Sequence, residues 1–435
     1  MSKDVNDHAS LVHSGRWAEA DEALIGELGR VPGANALELV ASLRPPVPVP
    51  SSSPVTDRAR STAARAVVLA NAGHDRAGAV RYAEEAFALA GQTDPDTFWH
   101  CMVVFLHAED LDRVERECRA FARSPRHQTV VPLLLARVLA LSGDLANAHG
   151  MLTGVVGRTG SPLAVAWLVE VMAELGHPDR ALTLMEAHGL RGAMTGAEHR
   201  PQLLAARGAA GFAAGRFRSA LDDLLDAGRV LTSHGVRNPS VVMWQSYAAL
   251  CASALRQSDL AVALAEEQYT AAERWSSPWG RATALHALAI ARTDEHSVQR
   301  LHHAIELVAA SRAQGGRARM CYDLAILLWE RQSYSDAESF LDTAMQAARR
   351  SGNVTWADRV ARATEAVVSA RTSGARLSSQ EVTTARLARA GFSNREIAGQ
   401  LRLTTRTVEH HLSGVYQKLR ISGRSELAFA LGALA

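Results

Sequence analysis

The chain has 435 residues, of which 47% are hydrophobic and 21% charged, which is a globular composition. A single core stops growing at about 250–300 residues, so this length predicts two or more domains. The start, MSKDVNDHAS, has no apolar stretch typical of a secretory signal. Apolar runs such as Val130–Ala136 fall well short of the ~20 residues that span a membrane. We therefore expect a cytoplasmic protein without a membrane segment.

The first 56 residues predict two elements. Residues 1–42 contain the segment Gly15–Ala20, which joins two amphipathic stretches and predicts a helical hairpin. Residues 43–56 include the segment Arg44–Pro54, whose repeated prolines and serines are incompatible with a helix. We therefore expect an extended linker at residues 43–56.

Residues 57–370 predict an array of helical repeats. An apolar helix is followed by a small turn residue, a charged or aromatic residue, and an alanine five positions after the turn residue. The copies are Gly15–Ala20, Gly143–Ala148, Gly176–Ala181, Gly215–Ala220 and, more weakly, Ser258–Ala263 and Gln332–Ala337, with others expected near Gly73, Asp110 and His296. The small residue permits a tight reversal, and the alanine permits close helix packing. Periods of roughly 33–43 residues are typical of stacked helix pairs that form a solenoid with a concave groove. The array resembles tetratricopeptide (TPR) repeats, and its later units are similar to the solenoid of MalT-like regulators.

Two indoles within the array are candidates for a ligand groove. Trp275 and Trp279 flank a Ser-Pro turn and could stack on an effector in the concave surface. The alternative is that they pack between consecutive repeats, which is the simpler interpretation. The four cysteines lie far apart without a CxxC pair and predict buried free thiols in a reducing cytosol, not a metal site.

A short linker at residues 371–376 separates the array from residues 377–435, which predict four short helices. Ser378 with Glu381, and Ser393 with Glu396, have the spacing of the capping box that begins a helix. Gly391 is suited to end the first of these helices in the left-handed conformation. The second helix is predicted at about 394–401, the third at about 405–419 after an N-cap at Thr404, and the fourth at about 424–431.

The third of these helices has two distinct faces. Val408, Leu412, Val415 and Leu419 recur at steps of four, three and four and predict a buried stripe. The opposite face is polar or charged. Its members are Arg406, Glu409, His410, Ser413 and Gln417. From Arg371 onward, nine arginines and one lysine stand against four glutamates, a net charge of +6 that leaves −4 on the remainder of the chain. A basic domain with a polar helix after a tight turn is suited to the major groove of DNA.

These residues resemble the C-terminal helix-turn-helix of LuxR-type (GerE- or NarL-like) bacterial transcription regulators. The resemblance covers about 55 residues without a gap. The matching positions are Leu377, Ser378, Glu381, Gly391, Ser393–Ala398, Leu401, Thr404, Arg406–Val408, His411, Lys418, Leu419 and Arg424. It implies that Glu409, His410 and Ser413 read bases. It also implies that Arg395, Thr404, Arg406, Thr407 and Lys418 contact phosphates. It further implies a homodimer formed through Ala428, Leu431 and Leu434. Glu409 departs from the family, where lysine is common, and predicts either an altered operator or weaker binding.

The sequence as a whole predicts an all-α protein, a TPR-like solenoid followed by a four-helix LuxR-type domain. We expect a DNA-binding transcription regulator whose array binds a protein, peptide or small effector, and which joins the bacterial nucleoid when bound to DNA. The alternative is a TPR-type interaction scaffold whose helix-turn-helix no longer reads DNA. Neither Lys3 nor Lys418 follows a glycine, so no P-loop is present, and no catalytic residue, cofactor or metal is expected.

Overall fold

The computed structural model describes residues 54–122, 130–190, 192, 194, 199–372, 377–419, 421–424, 426 and 427. Within these residues the chain forms α-helices, turns and one π-helical turn at Phe87–Gly91, and no strand. The all-α prediction is therefore confirmed for the described part of the chain. The predicted hairpin at 1–42 and most of the 43–56 linker lie outside it. The first helix begins at Pro54, slightly before the predicted end of that linker.

The array consists of helix pairs, each with an inner helix A and an outer helix B. The first four pairs are α1 (Pro54–Ala72) with α2 (Arg76–Ala86), α3 (Pro95–His107) with α4 (Leu111–Phe121), α5 (Val130–Leu141) with α6 (Leu145–Thr159), and α7 (Pro162–Glu174) with α8 (Pro178–Ala187). The next four are α9 (Arg200–Ala213) with α10 (Phe217–Ser233), α11 (Trp244–Ala254) with α12 (Ser258–Trp275), α13 (Pro278–Arg292) with α14 (Ser297–Ala309), and α15 (Arg317–Glu330) with α16 (Tyr334–Arg350). A last helix, α17 (Val354–Thr372), covers α16.

The two helices of a pair differ in burial. Helix α3 is buried along almost its entire length from Asp96 to His107, whereas its partner α4 buries Leu111, Val114 and Cys118 on one face. The same contrast separates α15 from α16. The A helices therefore lie inside the superhelix and the B helices outside, as the repeat pattern predicts. All four cysteines are buried and unpaired, in agreement with the sequence.

Helix A of each pair ends at a residue in the left-handed conformation. These residues are Gly73, Glu109, Gly143, Gly176, Gly215, Arg256, Thr293 and Gln332. The alanine five positions later is buried at Ala148, Ala181, Ala220 and Ala337, which confirms those copies of the motif. The predicted copy at Ser258–Ala263 is wrong by two residues. Arg256 is the left-handed residue, Ala261 is buried, and Ala263 is exposed.

Successive turns of the superhelix touch one another. The carbonyl of Asn71 accepts hydrogen bonds from the backbone N–H groups of Arg237 (2.9 Å) and Asn238 (3.1 Å). The indole Nε1 of Trp275 donates to the carbonyl of His107 at 2.6 Å. The backbone N–H of Gln314 donates to the carbonyl of Leu141 at 2.9 Å.

A fourth contact continues the series, since the side chain of Asn353 donates to the carbonyl of Glu174. In this series the partners lie 166 to 179 residues apart along the chain. The turn between helices A and B of one pair thus contacts the segment just before helix A of another pair, which lies roughly one superhelical turn later. The array is therefore wound tightly enough for its successive turns to share hydrogen bonds.

Gly176 is required by one of these contacts. Its φ is +85°, and a Cβ atom there would lie 2.4 Å from the Cβ of Thr355 in the next turn of the superhelix. We expect Gly176→Ala to lower the free energy of unfolding by about 2–5 kcal/mol, combining left-handed strain with overpacking. Urea unfolding measures this loss.

Gly215→Ala is the matched control. Gly215 has a similar φ of +74°, but nothing lies within 4 Å of its added Cβ. Here we expect the left-handed strain alone, about 1–2 kcal/mol. Equal losses for the two variants would contradict the close approach of successive turns.

Candidate nucleic-acid interface and internal cavity

Three short helices follow the array: α18 (Ser379–Arg389), α19 (Asn394–Leu401) and α20 (Thr405–Leu419). Both predicted capping boxes are present. The hydroxyl of Ser378 accepts from the N–H of Glu381 while the Glu381 carboxylate accepts from the N–H of Ser378, and Ser393 and Glu396 repeat the arrangement. Gly391 has a φ of +83° at the end of α18, as predicted. These local signals fix where the helices begin and end.

The turn between α19 and α20 sets the direction of the third helix. Arg402 takes the left-handed conformation, with a φ of +54°, and ends α19. The hydroxyl of Thr404 then accepts a hydrogen bond from the N–H of Thr407 at 3.1 Å, which caps α20. The predicted stripe on α20 is buried at all four positions: Val408, Leu412, Val415 and Leu419. Helix α20 is therefore held against α18 and α19 by one apolar face.

The opposite face of α20 is free for a ligand. Arg406, Glu409, His410 and Ser413 are exposed and follow one another at helical spacing, so they share a face. Thr404 and Arg395 are also exposed, while Thr407 is partly buried. The structure therefore brings together most of the residues that the sequence predicts for DNA contact. It adds Arg402, which the sequence does not predict as a contact and which is exposed beside the start of α20.

Lys418 has a different environment from the other predicted phosphate contacts. Its Nζ lies 2.6 Å from Oε2 of Glu381, so it joins α20 to α18. Burial raises the pKa of Glu381, but hydrogen bonds from Lys418 and Ser378 outweigh it and bring the pKa below its usual value. The Lys418 side chain is 31% exposed, and its ammonium has three N–H donors, so the pair with Glu381 leaves the predicted phosphate contact untested. In this structure Lys418 links α20 to α18 within the domain.

We expect Glu381→Gln to destabilise the domain by about 0.5–1 kcal/mol near neutral pH, because glutamine can complete the capping box but lacks the charge that pairs with Lys418 and with the helix N-terminus. Because the folded carboxyl has a lowered pKa, its contribution is complete above its ordinary pKa of 4.5 and disappears as the pH falls through the lowered value. The deficit of the variant should therefore shrink on acidification. Thermal unfolding between pH 7 and pH 3, with the exposed Glu409→Gln as control, measures the effect.

Comparison with known proteins agrees with this geometry. Residues 375–431 match the family described as "Bacterial regulatory proteins, luxR family". These residues form a LuxR-family helix-turn-helix domain. The match confirms the resemblance noted from the sequence. The predicted fourth helix, and the predicted dimer contacts Ala428, Leu431 and Leu434, fall mostly or wholly outside the described residues.

Two solved structures resemble the whole chain at low similarity, and no curated protein matches it. The crystal structure of the APC/C hetero-tetramer Cut9–Hcn1 has 12% sequence identity and a TM-score of 0.45, and the match covers 98% of this chain and 90% of that one. The aspartyl phosphate phosphatase F of Bacillus subtilis has 12% identity and a TM-score of 0.39, covering 89% and 95%. Similarities this low do not transfer a function.

The LuxR-family domain docks on the end of the array. The guanidinium of Arg256 lies 3.6 Å from the ring centroid of Phe392 and also donates to the carbonyl of Ala390. Nη1 of Arg389 lies 3.0 Å from Oε1 of Glu330, and both side chains are only 8% exposed. Helix α17 also contacts α20. The polar face of α20 remains exposed in this docked arrangement.

Removing one partner of the Arg389–Glu330 pair should be strongly destabilising. In Arg389→Met the Glu330 carboxylate stays buried without its cation, so we expect a loss of about 3–5 kcal/mol in the free energy of unfolding. Replacing both residues by methionine should recover much of this loss. A double-mutant cycle by urea unfolding measures the coupling, and a coupling near zero would contradict a structural role for the pair.

The concave side of the array holds a cavity of about 510 Å³ that is partly open to solvent. Residues from both contacting turns of the superhelix line it, among them Leu141 and Gln314, which share a hydrogen bond. The polar lining combines cations and carboxylates: Arg137, Arg317, Arg319, Arg350, Glu170 and Glu174. The aromatic lining consists of Tyr247, Trp279 and Trp356. Such a mixture of flat apolar surface and a few charged groups is typical of small-molecule sites.

The two tryptophans singled out in the sequence have separate environments. Trp279 lines the cavity and donates its Nε1–H to the carbonyl of Gly315 at 3.1 Å. Trp275 does not line it. Its side chain is 0% exposed and its indole N–H is bound to His107, so it packs between turns of the superhelix. The simpler interpretation, core packing, therefore describes Trp275, and the ligand-groove interpretation is open only for Trp279.

Among the described residues, no cluster of three or more His, Cys, Asp or Glu side chains could hold a metal ion. No helix in the described part of the chain is both long and apolar enough to cross a membrane.

Proposed function

We propose that this chain is a DNA-binding transcription regulator of the bacterial cytoplasm, located on the nucleoid when bound, in which the array senses an effector or partner. The observation that carries the proposal is the exposed polar face of α20. Arg406, Glu409, His410 and Ser413 project from a helix whose other face is buried and whose start is fixed by a cap. A helix presented in this way fits the major groove, where base edges are distinguishable.

The residues divide into two roles under this proposal. His410, Ser413 and Glu409 contact base edges, and a glutamate there favours a cytosine N4 donor. Arg395, Arg406, Thr404 and Thr407 contact phosphates, and the exposed Arg402 joins them. Lys418 stays paired with Glu381 and positions α20. Two copies of the chain, joined through Ala428, Leu431 and Leu434, would address two half-sites.

Two helices support a route from the array to the DNA-binding domain. Helix α15 carries Arg317 and Arg319 in the cavity at one end and Glu330, the partner of Arg389, at the other. Helix α17 lines the cavity with Trp356 and contacts α20 farther along. A ligand that shifts either helix therefore acts on the docked domain. Under this proposal the array is the sensor and has no catalytic role.

Replacing Arg406 and His410 together by alanine should strongly weaken specific DNA binding. Each base contact is worth about 1–3 kcal/mol, so we expect the affinity for a specific genomic fragment to fall by about tenfold or more. The slope of log affinity against log salt should also decrease, by about one for a lost phosphate contact. Fluorescence anisotropy at two salt concentrations measures both quantities.

Arg229→Ala is the control, because that arginine is exposed on the array, where it pairs with Asp226, and its loss removes a positive charge outside the DNA-binding domain. It should leave both quantities unchanged. Retained specific affinity in the double variant would refute the assignment of α20. Failure of the unmodified chain to bind any fragment at ~50 mM salt would favour the interaction-scaffold alternative.

A further inference from the structure

We propose that the internal cavity binds a small organic anion with a flat apolar body, anchored by the guanidinium of Arg319. The inference rests on the proposed sensing role of the array and names the chemical class of its effector.

Arg319 is stacked among rings without direct contact to a carboxylate. Burial lowers the pKa of its guanidinium, but nearby Glu174, Tyr247 and Asp323 outweigh burial and raise the pKa above its usual value. Its guanidinium carbon lies 5.2, 5.9 and 5.7 Å from the ring centroids of Phe212, Tyr247 and Trp356. No carboxylate oxygen of the described residues lies within 4.0 Å of it. The nearby Glu174 accepts a hydrogen bond from the hydroxyl of Tyr247 at 2.6 Å instead. The rings therefore fix the position of a cation that lines the cavity.

A second cation lies beside it. Arg317 donates from Nη1 to the side-chain oxygen of Gln314 at 2.9 Å, while its buried Nε has no hydrogen-bond partner among the described residues. By contrast, Arg137 in the same cavity is neutralised by Glu170 at 2.6 Å. Buried cations are ordinarily paired, because an uncompensated charge is costly to remove from water. The lining holds four arginines against two glutamates, so an anion in the cavity would balance the excess positive charge beside Arg317 and Arg319.

The apolar part of the cavity lining indicates the shape and size of the rest of the ligand. Trp279 and Trp356 provide flat apolar walls, and Met243 and Leu250 add aliphatic ones. The volume of about 510 Å³ suits a small molecule, since such sites are typically 300–1,000 Å³. We therefore infer a compact ligand and not a long chain.

The test uses a matched pair of fluorescent probes with the full chain. Anilinonaphthalene sulfonate carries a flat apolar body and an anionic group, and N-phenylnaphthylamine has the same body without the charge. We expect Arg319→Met to weaken binding of the sulfonate by about tenfold or more, the loss of a charge-assisted contact. The affinity for the neutral probe should change by less than about twofold, because that probe has no charge to contact Arg319. Methionine keeps the packing between the rings.

Arg229→Met is the control for general loss of charge and should affect neither probe. If Arg319→Met fails to fold, as judged by circular dichroism, Arg317→Gln provides the same comparison and should weaken only the sulfonate. Equal loss of both probes, or no loss of either, would overturn the proposal. Displacement of the sulfonate by an apolar tripeptide with a free carboxylate, but not by naphthoate, would assign the site to peptide ends and overturn the small-molecule class.

DNA binding distinguishes this proposal from the one on which it rests. Charge-selective probe binding in a chain that binds no DNA fragment would keep the anion site and remove the regulator assignment. Specific DNA binding, together with probe binding that does not change when Arg319 or Arg317 is replaced, would keep the regulator assignment and remove the anion site.

Discussion

The contact between successive turns of the superhelix is the constraint on which the rest of the structure depends. A simple solenoid binds each repeat only to its neighbours. Here Asn71, His107, Leu141 and Glu174 each accept a hydrogen bond from a loop about one superhelical turn later. These contacts form one wall of the cavity, bury Trp275, and place α15 and α17 where the LuxR-family domain can dock. The cavity and the surface on which the LuxR-family domain docks therefore both result from the contact between successive turns of the superhelix.

The non-glycine residues in left-handed turns show where the array departs from a plain repeat. A left-handed conformation strains a residue with a side chain, and such strain persists where the side chain is needed. Glu109 accepts from the backbone N–H of Trp279 in the next superhelical turn. Arg256 stacks on Phe392, and Gln332 donates to the carbonyl of Leu377 at 3.3 Å. Glycine would relieve the strain at these three turns, but it would lose contacts that join turns or domains.

The sequence predicts well what local interactions determine. The bounds of α19 and α20, both capping boxes and the buried stripe of α20 follow from spacings of three or four residues. The repeat motif likewise locates most A–B turns. The motif fails at Ser258 because the left-handed residue there is Arg256, which a search for small residues passes over. Single-sequence periodicity also cannot pair Lys418 with Glu381, or tell which of Trp275 and Trp279 faces a cavity, because those contacts join distant segments.

The same winding has a consequence for how the protein folds. Repeat proteins are generally rich in local contacts, and low contact order favours rapid folding from any nucleus. Here the first closure, between Asn71 and Asn238, must wait until more than half of the chain has left the ribosome. Until then the early repeats expose surfaces that later repeats cover, which makes the nascent chain dependent on a slow, non-local closing step.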